Sequence, residues 1–130
     1  METIWKYVKP LNNPLAVKQF LKAYNIELPQ RLIESMEDHN AGRPSKKRII
    51  TSTGREYVFK AMLSYNRQDK ETIFNVYPEL FQGTSWFPVA SDAAGNFVCF
   101  DLKSKKYILL NHETGEGEII VKMPCVLEIS

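Results

Sequence analysis

Long apolar runs are missing from this chain of 130 residues. No stretch approaches the roughly 18 apolar residues of a membrane-spanning helix, so the sequence excludes one. The segment METIWKYVKPLNNP also lacks the apolar centre of a secretory leader, which makes the cytoplasm the expected location. Cysteine is scarce, with only Cys99 and Cys125. A domain of this size buries enough surface to fold without disulfides, so both thiols read as reduced. Cys99, inside an apolar run, reads as a small buried hydrophobe rather than a nucleophile or ligand. His39 and His112 are the two histidines. They are not at ligand spacing and no cysteine pair accompanies them, so neither a zinc site nor any other cofactor is expected. Excess charge is missing too. Seventeen Lys and Arg against 15 Asp and Glu leave +2, too little to indicate a nucleic-acid partner. There is no glycine-rich phosphate loop after a strand, no internal repeat and no low-complexity linker.

What is present is an ordinary globular composition, 44% apolar and 25% charged, in the length of one domain, residues 1–130. The stretch from Trp86 to Leu110 organises it. An apolar run ends at Val89-Ala90, Asp92-Ala93-Ala94-Gly95 writes a turn, a second run spans Phe97 to Leu102, and Lys103 to Lys106 leads to a third, Tyr107 to Leu110. Short apolar runs separated by turn chemistry predict a β-meander. In the middle run Phe97, Cys99 and Asp101 share one face, and Val98, Phe100 and Leu102 the other. Both faces are largely apolar, so this strand is expected to be central and covered on both sides.

The rest of the chain supplies the cover. Asn13 and Pro14 read as N-cap and first residue of a helix carrying Val17, Phe20, Leu21 and Tyr24, stopped by Asn25. Pro29 opens a second helix with Leu32, Ile33 and Met36 as its buried stripe; Asn40-Ala41-Gly42 and Pro44 end it, with His39 as a favourable cation at its C-terminus. Asn40 or Gly42 is expected to take the positive φ there. Arg43 to Arg48 then carries four cations in six residues. No aromatic residue interleaves to stack bases, so the segment reads as a solvated turn into a lysine-guarded edge strand, not as a nucleic-acid contact. A strand over Tyr57 to Leu63 follows the Thr53-Gly54 turn. A short helix from Lys70 to Tyr77 is expected to be capped by Asp69 and ended by Pro78. Asn111 to Gly117 is a turn, Glu118 to Val121 a fourth meander strand, and MPCVLEIS an extended tail or final edge strand. Together these predict an α+β single domain: an antiparallel sheet of five to six strands with a central meander, covered by N-terminal helices and one short helix.

The order of several motifs resembles the SUKH superfamily, the Smi/Knr-type family of bacterial immunity proteins and fungal cell-wall regulators. The resemblance rests on Trp86, Pro88, Asp92, Gly95, Asn96 and Asp101 in the meander. It rests also on Leu28-Pro29 followed by Asn40, Gly42 and Pro44, on Tyr7 to Leu11, on Leu63 to Asn66, and on Asn111 to Glu116. It implies a domain that binds and blocks a cognate toxin, often a nuclease, by occlusion rather than turnover. The alternative it implies is a scaffolding regulator like the fungal members. No catalytic set argues otherwise. Asp92 and Asp101 are of the type for paired acid–base work, but their places in a turn and at a strand end suit hydrogen bonding to backbone. His112 beside Glu113 reads as a turn residue. The expectation is a non-enzyme with a protein partner, no membrane and no nucleic acid, its oligomeric state open. Two acidic patches are the candidate partner contacts: Glu34, Glu37 and Asp38 on the second helix, and Glu113, Glu116 and Glu118 around the last turn.

Overall fold

The computed structural model describes residues 4–123. Cys125 and most of the MPCVLEIS segment lie outside them, so the extended tail expected there falls outside the described residues. Among the described residues the order is β1 (Trp5–Lys6), α1 (Ala16–Ala23), α2 (Gln30–Asp38), β2 (Arg43–Pro44), β3 (Arg48–Thr51), β4 (Glu56–Met62), α3 (Ile73–Val76), a π-helical turn (Tyr77–Phe81), β5 (Trp86–Asp92), β6 (Phe97–Asp101), β7 (Tyr107–Leu110) and β8 (Gly117–Lys122). This is the predicted α+β domain, with the meander as its frame.

Strands β3 to β8 pair in chain order, each antiparallel to the next. The ring then closes, because β8 pairs with β3 through Ile50 with Lys122 and Thr51 with Ile120. The edge strand expected after Arg43 to Arg48 is therefore not an edge: β3 has neighbours on both sides. A β-bulge interrupts the β3–β8, β4–β5 and β5–β6 registers, and bulges bend and twist strands enough to close a small sheet on itself. In β6, Val98, Cys99 and Phe100 are all fully buried, so both faces are covered as the alternation required.

The helices pack by the stripes the sequence shows. Ala16, Val17, Phe20 and Leu21 of α1 are buried, as are Leu32 and Met36 of α2. Phe20 is the hinge of the aromatic core. Its ring meets Tyr65, Phe74, Tyr77 and Phe87 edge-on, at 5.9, 5.6, 5.6 and 6.3 Å. Such pairs contribute about 0.5–1.5 kcal/mol each beyond burial.

Helix ends show both agreement and correction. Asn25 stops α1 at φ +56, with its own N–H on the Lys22 carbonyl and the Ile26 N–H on that of Leu21. That is a Schellman stop with asparagine in the left-handed position. At the start, Asn13 Oδ1 accepts from the Leu15 N–H at 3.0 Å, and the helix begins at Ala16, later than Pro14 suggests. After α2 the positive φ falls on neither Asn40 nor Gly42 but on Ala41, at +61. Gly42 is held for another reason: a Cβ there would lie 2.9 Å from the His39 carbonyl oxygen and from the Trp5 and Val8 side chains. His39 at the helix end stacks on Trp5 at 4.5 Å, and burial pushes its pKa down against the raising pull of Asp38.

Asp69 does not cap the third helix. Thr72 does, its hydroxyl accepting from the Asn75 N–H at 3.3 Å, and Asp69 turns instead to Ser64 and Lys9. Pro78 does not end the helical path either. It has no N–H to give, and the path widens there into the π turn, which closes through the Gln82 N–H on the Tyr77 carbonyl at 2.9 Å. It delivers Phe81 into the core, 5.5 Å from the Phe97 ring.

Candidate functional site

Two polar hubs gather most of the motif residues. In the β5–β6 turn, Asp92 is buried. Its Oδ1 accepts from the N–H groups of Ala94 (2.9 Å) and Asn96 (2.7 Å), and its Oδ2 from Asn96 Nδ2 (2.9 Å). With its amide nitrogen spent on Asp92, Asn96 presents Oδ1 to the β7–β8 turn. There it accepts from the His112 N–H at 3.1 Å and faces His112 Nδ1 at 2.8 Å. An acceptor at that distance assigns the proton to Nδ1, and Nε2 lies 3.8 Å from Glu113 Oε1. Gly95 completes the turn at φ +88. The chain Asp92–Asn96–His112 thus ties one hairpin turn to the next.

The second hub is around α2's exit. Asn40 is fully buried. Its Oδ1 accepts from the Tyr65 N–H at 2.8 Å, and its Nδ2 donates to the Lys9 carbonyl at 3.0 Å and to Ser64 Oγ at 3.3 Å. One asparagine therefore joins the N-terminal segment, the helix end and the chain leaving β4. Pro44 pairs with Trp5 in the small β1–β2 ribbon, and Pro29, half-buried, is the residue before α2's first turn. Leu28 packs at the rim of the core. Trp86 lies over the barrel, so close that a Cβ on Gly117 would be 3.3 Å from its ring, and Pro88 is buried opposite Cys99.

Asp101 stands apart from both hubs. It pairs with Trp86 at one end of the β5–β6 ladder, while Asp92 closes the other. Burial would raise its pKa, but the Lys103 N–H and the Ser104 donors outweigh that and hold it below its usual range. Asp92 and Asp101 are not a carboxylate pair. Burial pushes the Cys99 thiol far up, as suits a core residue. Among the described residues no three His, Cys, Asp or Glu side chains converge on a possible metal position, and no helix is long and apolar enough to cross a membrane.

The acidic patches divide. Glu34 and Asp38 are exposed on α2, and Glu37, half-buried, lies 3.9 Å from Lys18. Glu113 and Glu116 are exposed on the last turn. Glu118 is turned inward across the barrel seam. It accepts from the hydroxyls of Thr53, Thr51 and Tyr57, with Arg55 at 3.7 Å. Led by the Thr53 bond, these donors hold its carboxyl below the usual range against the raising effect of burial. No local pattern at Glu118 signals this, since its partners are on β3, β4 and the turn between them.

The SUKH_6 family profile, described as SMI1-KNR4 cell-wall, matches residues 15–122. This chain belongs to the SUKH superfamily. No curated protein and no solved structure matches it. The part of the SUKH domain so matched runs from the turn before α1 to the last residue of β8. Both hubs and the closed barrel lie within it, apart from the Lys9 partner of Asn40.

Several grooves mark the surface of this SUKH domain. One, of about 730 Å³, lies between α1 and the loop after β4. Phe20, Tyr24 and Phe74 line it, and the Arg67 guanidinium covers Phe74 at 3.9 Å. A second, of about 700 Å³, lies where the N-terminal segment passes β4 and residues 68–71.

Proposed function

We propose that this SUKH domain is an immunity protein that binds a cognate toxin domain in the cytoplasm and blocks it by occlusion, without turnover. The supporting observation is how the motif's polar atoms are used. Asp92, Asn96, Asn40 and Asp101 spend theirs on turns and on one another, so what the motif secures is a rigid frame and what remains for recognition is its surface. Glu34, Asp38, Glu113 and Glu116 are the exposed acids through which a basic partner, such as a nuclease domain, is met. The test uses the toxin domain encoded beside this chain. The two are expected to co-elute as a one-to-one complex, and co-expression is expected to rescue growth. Reversal of charge in Glu34→Lys/Asp38→Lys or Glu113→Lys/Glu116→Lys is expected to slow association and weaken it by roughly tenfold or more. Growth arrest despite folded, abundant protein sinks the reading. The family description, SMI1-KNR4 cell-wall, favours one alternative: a scaffolding regulator, which would instead co-purify with a cellular protein and give no rescue.

A further inference from the structure

The second groove carries an inference that does not depend on the toxin reading. We propose that it is a recognition site for an acidic, carboxylate-bearing segment of a partner protein. Four cations line it, Lys9, Arg43, Lys60 and Lys70, against two carboxylates, Asp69 and Glu71. Both carboxylates are already matched: Lys9 meets Asp69 at 3.3 Å and Lys60 meets Glu71 at 2.6 Å. Among the described residues neither Arg43 nor Lys70 has a carboxylate within ion-pair distance. The surplus is positive, on a molecule whose net charge is only +2.

An aromatic residue completes the site. Tyr7 is 73% exposed, and the Arg43 guanidinium lies over its ring, 5.8 Å from the centroid. A tyrosine and an arginine presented together combine apolar contact area with a fork of donors matched to a carboxylate. The backbone is held in a costly shape at the same place. Tyr7 and Ala41, both lining the groove, have φ of +59 and +61, in the left-handed region that residues with a Cβ avoid. Strain of this kind persists where surrounding structure enforces it, and it gathers at binding sites. Here Tyr7 follows the β1–β2 ribbon, whose pairing fixes Lys6 opposite Arg43.

Single-stranded nucleic acid is the competing occupant, and the groove suits it less. It offers one exposed aromatic ring rather than a platform for successive bases. A carboxylate-bearing peptide needs only Arg43 and Lys70 free, and can exchange with the two existing pairs.

The test is fluorescence anisotropy on the full chain with a fluorescein-labelled oligoglutamate peptide and, separately, a labelled oligothymidylate. Saturable peptide binding that weakens as sodium chloride is raised is expected. Arg43→Gln/Lys70→Gln is expected to weaken it by roughly tenfold, the scale of two exposed ion pairs. Lys103→Gln/Lys105→Gln, in the β6–β7 turn, is expected to leave it unchanged. Tyr7→Gly is expected to weaken binding without lowering the urea midpoint, which separates a lost contact from a lost fold. No saturable peptide binding, equal loss in both double variants, or tighter binding of the oligothymidylate overturns the proposal. None of these outcomes bears on whether the chain neutralises a toxin.

Discussion

Single residues decide how the turns of this fold are held. Ala41 occupies a left-handed position that costs a residue with a Cβ about 1–2 kcal/mol, whereas glycine there would pay only its larger unfolded-state freedom. Ala41→Gly is therefore expected to stabilise the fold by about 0.5–1 kcal/mol, read as a raised urea midpoint at unchanged slope. The neighbouring Gly42→Ala is expected to do the reverse, because its Cβ would press within 2.9 Å of a backbone oxygen and two side chains. If Ala41→Gly instead lowered the midpoint, the assignment of φ at this turn would be wrong. From sequence the stop after α2 was legible, but which of three residues turns left-handed was not. Gly42 is fixed in place by Trp5 and Val8, whose approach no local pattern encodes. Asn25 was legible because asparagine after a helical stripe satisfies a purely local need.

At the scale of elements, the meander could be read because each of its turns is written in adjacent residues: Asp92 to Gly95, Lys103 to Lys106, then Asn111 to Gly117. Closure of the barrel could not. It depends on β3 meeting β8, and the Thr51–Glu118 bond across that seam joins residues 67 apart. Alternation shows that a segment is a strand, not which strand lies beside it. The same distance hid Glu118, which reads as a surface acid and serves as a clasp. Its folded pKa lies below the ordinary value of 4.5, so its stabilisation is present above that value and is lost as pH falls through the lower folded one. Glu118→Gln is expected to be less stable than the parent by about 1–2 kcal/mol at neutral pH. That gap should narrow as pH is lowered below about 4, where the parent also loses the charge. Urea midpoints of both proteins across pH measure it, and a gap independent of pH would show that the carboxylate charge is not what holds the seam.

For the whole molecule, the helices, ribbon and barrel share one core, in which Phe20 reaches Tyr65 and Phe87 alike. Two tryptophans report on it from separate places: Trp5 between His39 and Phe59, and Trp86 against Gly117. A single shared core predicts that Trp5→Phe and Trp86→Phe, each leaving one tryptophan, unfold in denaturant with tryptophan fluorescence and far-ultraviolet dichroism coincident. Separate midpoints for Trp5 would mean that the β1–β2 ribbon opens independently of the barrel. The chain pattern pointed to one domain, but the groove beside Tyr7 arises only when the N-terminal segment folds back over Arg43. The aromatic residue that the basic stretch lacks in sequence reaches it in space.

The ring of strands has a consequence for any partner that docks on this domain. With β3 to β8 each bonded on both flanks, an intruding strand finds no row of backbone groups on the barrel to zip onto. Affinity must come from outward side chains and loops, and these can be exchanged one at a time without disturbing the hoop beneath. A barrel built this way can change its contacts by point substitution alone, while its architecture stays still.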